Sequence, residues 1–284
     1  MSAEQRREYD TLGFCRLPGL IPPPVLERLR KFFEPMLVAD TVPGKAIADA
    51  PDGKVVTNID QLLSWGDPAV LELLAVPEIM NVASAICGDN LFSVQEFAVI
   101  KHRGDATPVL WHQDMVHGRS APALSMGLYL DDADAGEGAL RFVPGSHLRS
   151  EPIDQLARMP AVEVPAKAGD VIIHDMMTAH SSEPMEGNSL RRVIYLVFLS
   201  TELVLGEDLY PREFVENRRR LLFAARRYRR ETFPAAGCFK PRQREPNARD
   251  RKRPAHDIMA EVHMTETRLR PSNYCFERIP ANLG

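Results

Sequence analysis

The sequence predicts a mainly β protein with flanking helices, built as a sandwich or barrel of short strands. Three observations carry that expectation. Between residues 91 and 199, six apolar stretches read as strands: 91–101, 108–112, 123–131, 139–143, 170–174 and 190–199. Several of them alternate polar and apolar side chains, and Pro- or Gly-containing turns separate them, which is the pattern of an all-β core. Helical spacing appears before this block and again after it. A chain of 284 residues is long enough to bury a large core, and β-rich single domains reach this size. The expected organisation is a β-strand domain with N-terminal helices over 1–209, and a basic helical and irregular extension over 210–284 packed on the same domain.

In chain order, residues 3–10 read as a polar opening turn and 13–18 as a first strand. Pro22-Pro23-Pro24 starts a helix, because proline suits the first helical turn. Val25, Leu26, Leu29, Phe32 and Phe33 give that helix one apolar face. The stretch 39–54 is rich in Gly, Pro, Asp and Ala and reads as a loop over the surface or the site. Helices follow near 68–75 and 77–87, with Pro68 and Pro77 close to their starts. Within the strand block, Gly136-Glu137-Gly138 and Pro144-Gly145 let the chain turn sharply around 139–143. His147 belongs to that turn. Residues 203–230 read as mainly helical, and an irregular Pro- and Arg-rich tail follows.

The net charge of −4 hides an asymmetry. Residues 1–209 carry 17 basic and 30 acidic side chains, whereas 210–253 carry 15 and 5. Arg218-Arg219-Arg220, Arg226-Arg227 and Arg229-Arg230 invite a nucleic-acid reading. The stretch has little aromatic interleaving and no recognition motif, so no nucleic acid is expected. Two readings remain: arginines over the barrel mouth that attract an anionic substrate, and a solvated helix face. That face would pair with the acidic 1–209 region, within the chain or across a homo-oligomer, while Leu221, Leu222, Phe223 and Tyr228 supply apolar contacts. Cys15, Cys87, Cys238 and Cys275 show no paired spacing, which points to reduced thiols and a cytoplasmic location. The opening residues lack the apolar core of a signal peptide. No apolar run approaches bilayer length, so no membrane association is expected.

The chemistry gathers around Val109-Leu110-Trp111-His112-Gln113-Asp114. In an extended strand alternate side chains share a face, so His112 and Asp114 point one way and Gln113 the other. A distant second His completes a two-His, one-carboxylate set, the ligand arrangement of non-haem Fe(II) oxygenases. Alone, His-x-Asp is weak, and an ordinary surface pair competes with it. Two histidines, His174 and His180, lie downstream as candidates for the third position. Arg191 stands at the start of the apolar run 193–198, where a guanidinium can bind a carboxylate through two parallel hydrogen bonds.

Taken together, Trp111-His112-x-Asp114, Gly138-x-Leu140-x-x-x-Pro144-Gly145-Ser146-His147, and His180 followed eleven residues later by Arg191 resemble the phytanoyl-CoA dioxygenase family of Fe(II)/2-oxoglutarate oxygenases. The resemblance spans roughly 12–199. It implies a double-stranded β-helix of the jelly-roll, cupin-like kind, with the metal at its open end. It implies Fe(II) held by His112, Asp114 and His180, with His174 as a neighbour whose second nitrogen is open to outer-shell contacts. Arg191 matches the clamp for the cosubstrate 2-oxoglutarate, and Arg192 faces the other way. Ser182 and Lys101 fall at further cosubstrate positions. Gln95, seventeen residues before His112, matches a substrate contact of the family's ectoine hydroxylases. Met115 and His117 lie where those hydroxylases hold their substrate, but the sequence 115–119 departs from theirs, so ectoine is not implied.

The reaction implied is oxidative decarboxylation of 2-oxoglutarate by O₂ to succinate and CO₂, coupled to oxidation of an unactivated C–H bond in a small molecule. Hydroxylation is the family's commonest outcome; desaturation, epoxidation and rearrangement also occur. The carboxylate of Asp114 separates the chain from related halogenases, which lack it. Two other classes are weighed against this one. A non-catalytic ligand-binding β-barrel gives no reason for a complete triad. A zinc or nickel hydrolase or isomerase gives no reason for Arg191.

Overall fold

Strand pairing in the computed structural model, which describes residues 1–40, 42–50, 53–102, 108–116, 119–185 and 190–265, builds two antiparallel sheets. The strands are β1 (Phe14–Leu17), β2 (Lys45–Ala50), β3 (Gly53–Asp60), β4 (Leu91–His102), β5 (Val109–His112), β6 (Leu124–Tyr129), β7 (Leu140–Phe142), β8 (Val162–Val164), β9 (Val171–Asp175), β10 (His180–Ser182) and β11 (Leu190–Ser200). The major sheet runs β1-β9-β6-β11-β4-β3-β2 and the minor sheet β5-β10-β7-β8. The crossings between sheets make this a double-stranded β-helix.

Side-chain alternation divides the major sheet into two faces. One face sends Met126, Ile173, Ile194 and Leu196 into the main core, against α2 (Pro23–Phe33), α3 (Pro68–Leu73) and α4 (Pro77–Cys87). The other sends Tyr129, Ile172, Val193 and Tyr195 toward the minor sheet, where they meet Leu140 and Phe142. Phe14 on β1 stacks on Phe142 on β7 with ring centroids 4.5 Å apart, joining the two sheets. The minor sheet's far side is closed by Trp111, Val143, Ala179 and the short α5 (Ile153–Leu156).

Three sequence expectations need correction. Residues 3–10 form a helix, α1 (Ala3–Leu12), because Ser2 and Gln5 make a reciprocal capping box that satisfies its first free amides. The stretch 39–54 is not simply a loop: β2 and the start of β3 form a hairpin that extends the major sheet through β4. The tail is not wholly irregular, since α8 (Ala255–Thr265) follows α6 (Thr201–Gly206) and α7 (Arg212–Thr232) and buries Ile258, Met259 and Val262.

The basic helix is docked, and its key arginines are buried, not solvated. Arg218 pairs with Glu96 of β4 and donates to the Ser93 carbonyl at 2.7 Å. Arg229 pairs with Glu72 of α3, which also receives Arg28 at 2.7 Å. Arg220 holds Asp250 at 2.6 Å. Leu221, Leu222 and Phe223 are buried with them. Cys15, Cys87 and Cys238 are free thiols; Cys275 lies outside the described residues. No helix among the described residues is long and apolar enough to cross a membrane.

Candidate metal and cosubstrate centre

His112 ends β5 and His180 begins β10, and the two are direct cross-strand partners. Their imidazole centroids lie 4.1 Å apart. Asp114, just past the end of β5, brings Oδ1 to 3.6 Å from His112 Nε2. One ligand atom from each of His112, Asp114 and His180 falls within 4.8 Å of the others, a spacing that one metal ion can span. In both histidines Nδ1 donates to a backbone carbonyl two residues back, Leu110 at 2.8 Å and Thr178 at 2.9 Å. That hydrogen bond fixes the tautomer and leaves Nε2 with a free lone pair for a metal.

Electrostatics agree with a cation site. Burial pushes the His180 pKa well below its ordinary value, and the nearby His112 and His174 add to this, so the imidazole is neutral and able to ligate. Burial works to raise the Asp114 pKa, but the neighbouring His112, His174 and His180 imidazoles outweigh it and hold the carboxyl well below the usual range. An anionic carboxylate beside the neutral His180 imidazole contributes to an oxygen-plus-nitrogen donor set suited to Fe(II).

The loop that carries Asp114 is tied to one short stretch of chain. His174 Nε2 lies 3.2 Å from Asp114 Oδ2. Arg119 grips both oxygens of Asp175, at 2.5 and 2.7 Å. The Met115 amide donates to the Met176 carbonyl at 2.9 Å, and Gln113 Nε2 to the Met177 carbonyl at 2.5 Å. Four consecutive residues at the end of β9 thus hold four residues around the ligand.

Deeper between the sheets lies a second polar group. Arg191 is 1% exposed; its Nη1 donates to the Gly138 carbonyl, while its Nε has no partner. Lys101 is its direct partner on β4, and Lys101 Nζ reaches the carbonyls of Ser182, at 3.3 Å, and Glu183. The Ser182 and Tyr129 hydroxyls are likewise buried without partners. Burial raises the Tyr129 pKa well above its ordinary value, with Arg191 opposing. Burial pushes the Tyr195 phenol up to about 12, opposed by Arg191 and reinforced by Asp114. Buried polar groups normally find partners; unsatisfied donors clustered here suit an acidic guest. Arg192 faces away and makes a two-pronged pair with Asp131, at 2.8 Å on each side.

The remaining site candidates are scattered. Gln95 is half-buried on β4, in register with Val197. Met115 lies fully buried in the main core. His117 is outside the described residues. His147 contacts the Asp10 carbonyl at 3.3 Å and stays at its turn. Tyr129 was missed by sequence reading, because an aromatic residue in an apolar strand looks like core.

The sequence profile of the phytanoyl-CoA dioxygenase family matches residues 9–193, which takes in both sheets from β1 to the first part of β11. The chain belongs to the phytanoyl-CoA dioxygenase family. It is therefore an Fe(II)- and 2-oxoglutarate-dependent oxidoreductase acting as a dioxygenase. Among its relatives, the ectoine dioxygenase of Bordetella parapertussis is 24% identical over 243 residues, covering 74% of this chain and 79% of its own length. The crystal structure of EvdMO1 superposes with a TM-score of 0.64 at 26% identity, covering 70% of this chain but only half of EvdMO1. That of EvdO2 from Micromonospora carbonacea var. aurantiaca, complexed with 2-oxoglutarate, gives 0.56 at 25% identity, covering 71% of this chain and 91% of EvdO2. The part of this phytanoyl-CoA dioxygenase family member beyond residue 193, including the docked α7, lies outside the profile match.

Proposed function

We propose that His112, Asp114 and His180 hold the iron, and that the chain hydroxylates an unactivated C–H bond of a small molecule. The observation that carries this reading is the pairing of a complete triad on the minor sheet with a buried arginine on the major sheet's facing side. When bound, Fe(II) activates O₂ at the expense of 2-oxoglutarate and supplies the oxidising power for C–H attack. The chain's own residues bind, orient and keep water out. Arg191 receives the distal carboxylate of the cosubstrate, with the Ser182 hydroxyl and Lys101 beside it, so that its keto-acid end reaches the metal. The phenols of Tyr129 and Tyr195 stay protonated at neutral pH and can donate hydrogen bonds there. Gln95 is assigned to the prime substrate. The docked extension is read as part of the same domain, with any homo-oligomer formed through it. Free, widely separated cysteines support a cytoplasmic setting.

The direct test is succinate release from 2-oxoglutarate with Fe(II) and ascorbate, without added prime substrate. Slow uncoupled turnover is expected; iron binding with no consumption of 2-oxoglutarate would sink the reading.

Arg191→Ala should raise the 2-oxoglutarate concentration needed for half-maximal turnover about a hundredfold, since a desolvated carboxylate loses its charged partner. Arg191→Lys restores only part of this, because a point charge cannot supply the planar fork. Arg192→Ala should leave the cosubstrate requirement unchanged. A swap of these two outcomes in the same assay would reverse the assignment.

A further inference from the structure

We propose that His174 is a positioning residue that donates its Nε2 proton to Asp114 Oδ2 and so leaves Oδ1 as the single ligating oxygen. The proposal rests on the iron-site reading above and names how one of its ligands is held. His174 sits on β9, between β1 and β6 in the major sheet, in register with Phe14 and Ser125. Its ring is completely buried and lies 4.5 Å from the His180 ring and 5.5 Å from that of Phe142. The two carboxylate oxygens of Asp114 are divided between neighbours: Oδ1 is turned to His112 at 3.6 Å and Oδ2 to His174 at 3.2 Å. His174 Nδ1 is buried with no partner. Placing a proton on Nδ1 would bury an unsatisfied donor, whereas placing it on Nε2 satisfies an anionic acceptor. The tautomer that fits is opposite to that of His112 and His180, whose Nδ1 atoms donate to backbone carbonyls. Three clustered imidazoles are thus sorted by the hydrogen bonds they make. Two offer Nε2 to the metal, and one turns Nε2–H onto the carboxylate.

A carboxylate held on one oxygen cannot swing to chelate with both. This keeps Asp114 to one coordination position and leaves the others for cosubstrate and O₂. The backbone contacts at Met176 and Met177 fix where the Asp114 loop sits, and His174 then fixes how the carboxylate is turned.

Co(II) titration of the full-length protein without 2-oxoglutarate, followed by calorimetry and by its visible absorption, tests this. His174→Phe keeps a ring but removes the donor, and should weaken Co(II) binding roughly 10–100-fold with a changed spectrum. His174→Gln, which restores an N–H donor, should bind within about threefold of wild type by the same reasoning. Wild-type affinity and spectrum in His174→Phe would overturn the proposal, as would a His174→Gln protein as weak as His174→Phe. If the variants fail to fold, ¹⁵N-edited spectra of the Zn(II)-loaded wild type still decide. A proton on His174 Nε2 and a bare Nδ1 are expected, and the reverse tautomer overturns the assignment. Asp114→Ala separates the two levels. If it loses Co(II) affinity while His174→Phe does not, the proposal alone falls; if Asp114→Ala binds like wild type, the iron-site reading falls and takes the proposal with it.

Discussion

His112→Ala or His180→Ala should abolish both Fe(II) binding and 2-oxoglutarate consumption. The donor atoms come from three side chains that meet within 4.8 Å. A single imidazole with one carboxylate lacks the third donor of the triad, and alanine offers no replacement. Each histidine also holds its partner's surroundings, since the two are opposite each other across β5 and β10. Asp114→Ala should differ in kind: the two imidazoles retain weakened metal binding, but the anionic ligand is gone and product formation stops. Metal affinity from calorimetry, measured beside succinate release, checks both statements. Normal turnover in any of the three variants removes that residue from the site.

Arg218→Ala should destabilise the fold by about 3–5 kcal/mol, the usual result of stripping one partner from a buried ion pair. Glu96 and Arg218 are each about 99% and 98% removed from solvent, and one Glu96 oxygen already lacks a partner. Deleting the guanidinium leaves a buried carboxylate without its countercharge between β4 and α7, held by the Ser93 hydroxyl at 2.6 Å, together with the Ser93 carbonyl that the arginine had satisfied. The double change Arg218→Met with Glu96→Gln should recover much of the loss, because it removes the charges together. Urea unfolding measures this, with the slope unchanged and the midpoint shifted. Uncoupled 2-oxoglutarate turnover should stay near wild type wherever the variant remains folded. A loss below about 1 kcal/mol, the range of exposed pairs, would mean that this contact is open to water.

The strands from 91 to 199 were legible because their alternation and intervening turns follow directly from having one face on each core. The β2–β3 hairpin was not: its half-exposed Ala, Asp and Lys residues pack on little, and only pairing with β4 makes them strand. Helix α1 was hidden because Tyr9 is its one buried residue, so capping and not periodicity defines it. Three-residue strands such as β8 and β10 are too short to show a pattern. His112 and Asp114 were legible from their spacing, whereas His174 and His180 could not be separated by residue type. Both point between the sheets; cross-strand register gives His180 to His112 and turns His174 to the carboxylate. The arginines of α7 show the limit of charge counting. A run of basic residues does not reveal that Arg218, Arg220 and Arg229 each meet a buried acid contributed by a distant or later segment.

His112 and His180 face one another, yet roughly 68 residues of chain separate them, enough to make their meeting a long loop closure. Between them the chain lays down β6 to β9 in both sheets, so the facing imidazoles belong to the assembled fold and to no local segment. Such non-local contacts are formed late and slowly. An unfolded chain offers no matching site, and metal therefore binds the finished fold alone. At a hundredfold excess over its dissociation constant, the ion would add about 2.7 kcal/mol to native stability. Metal loading should then stabilise the protein as well as switch on its turnover, and thermal unfolding with and without the ion would show the shift.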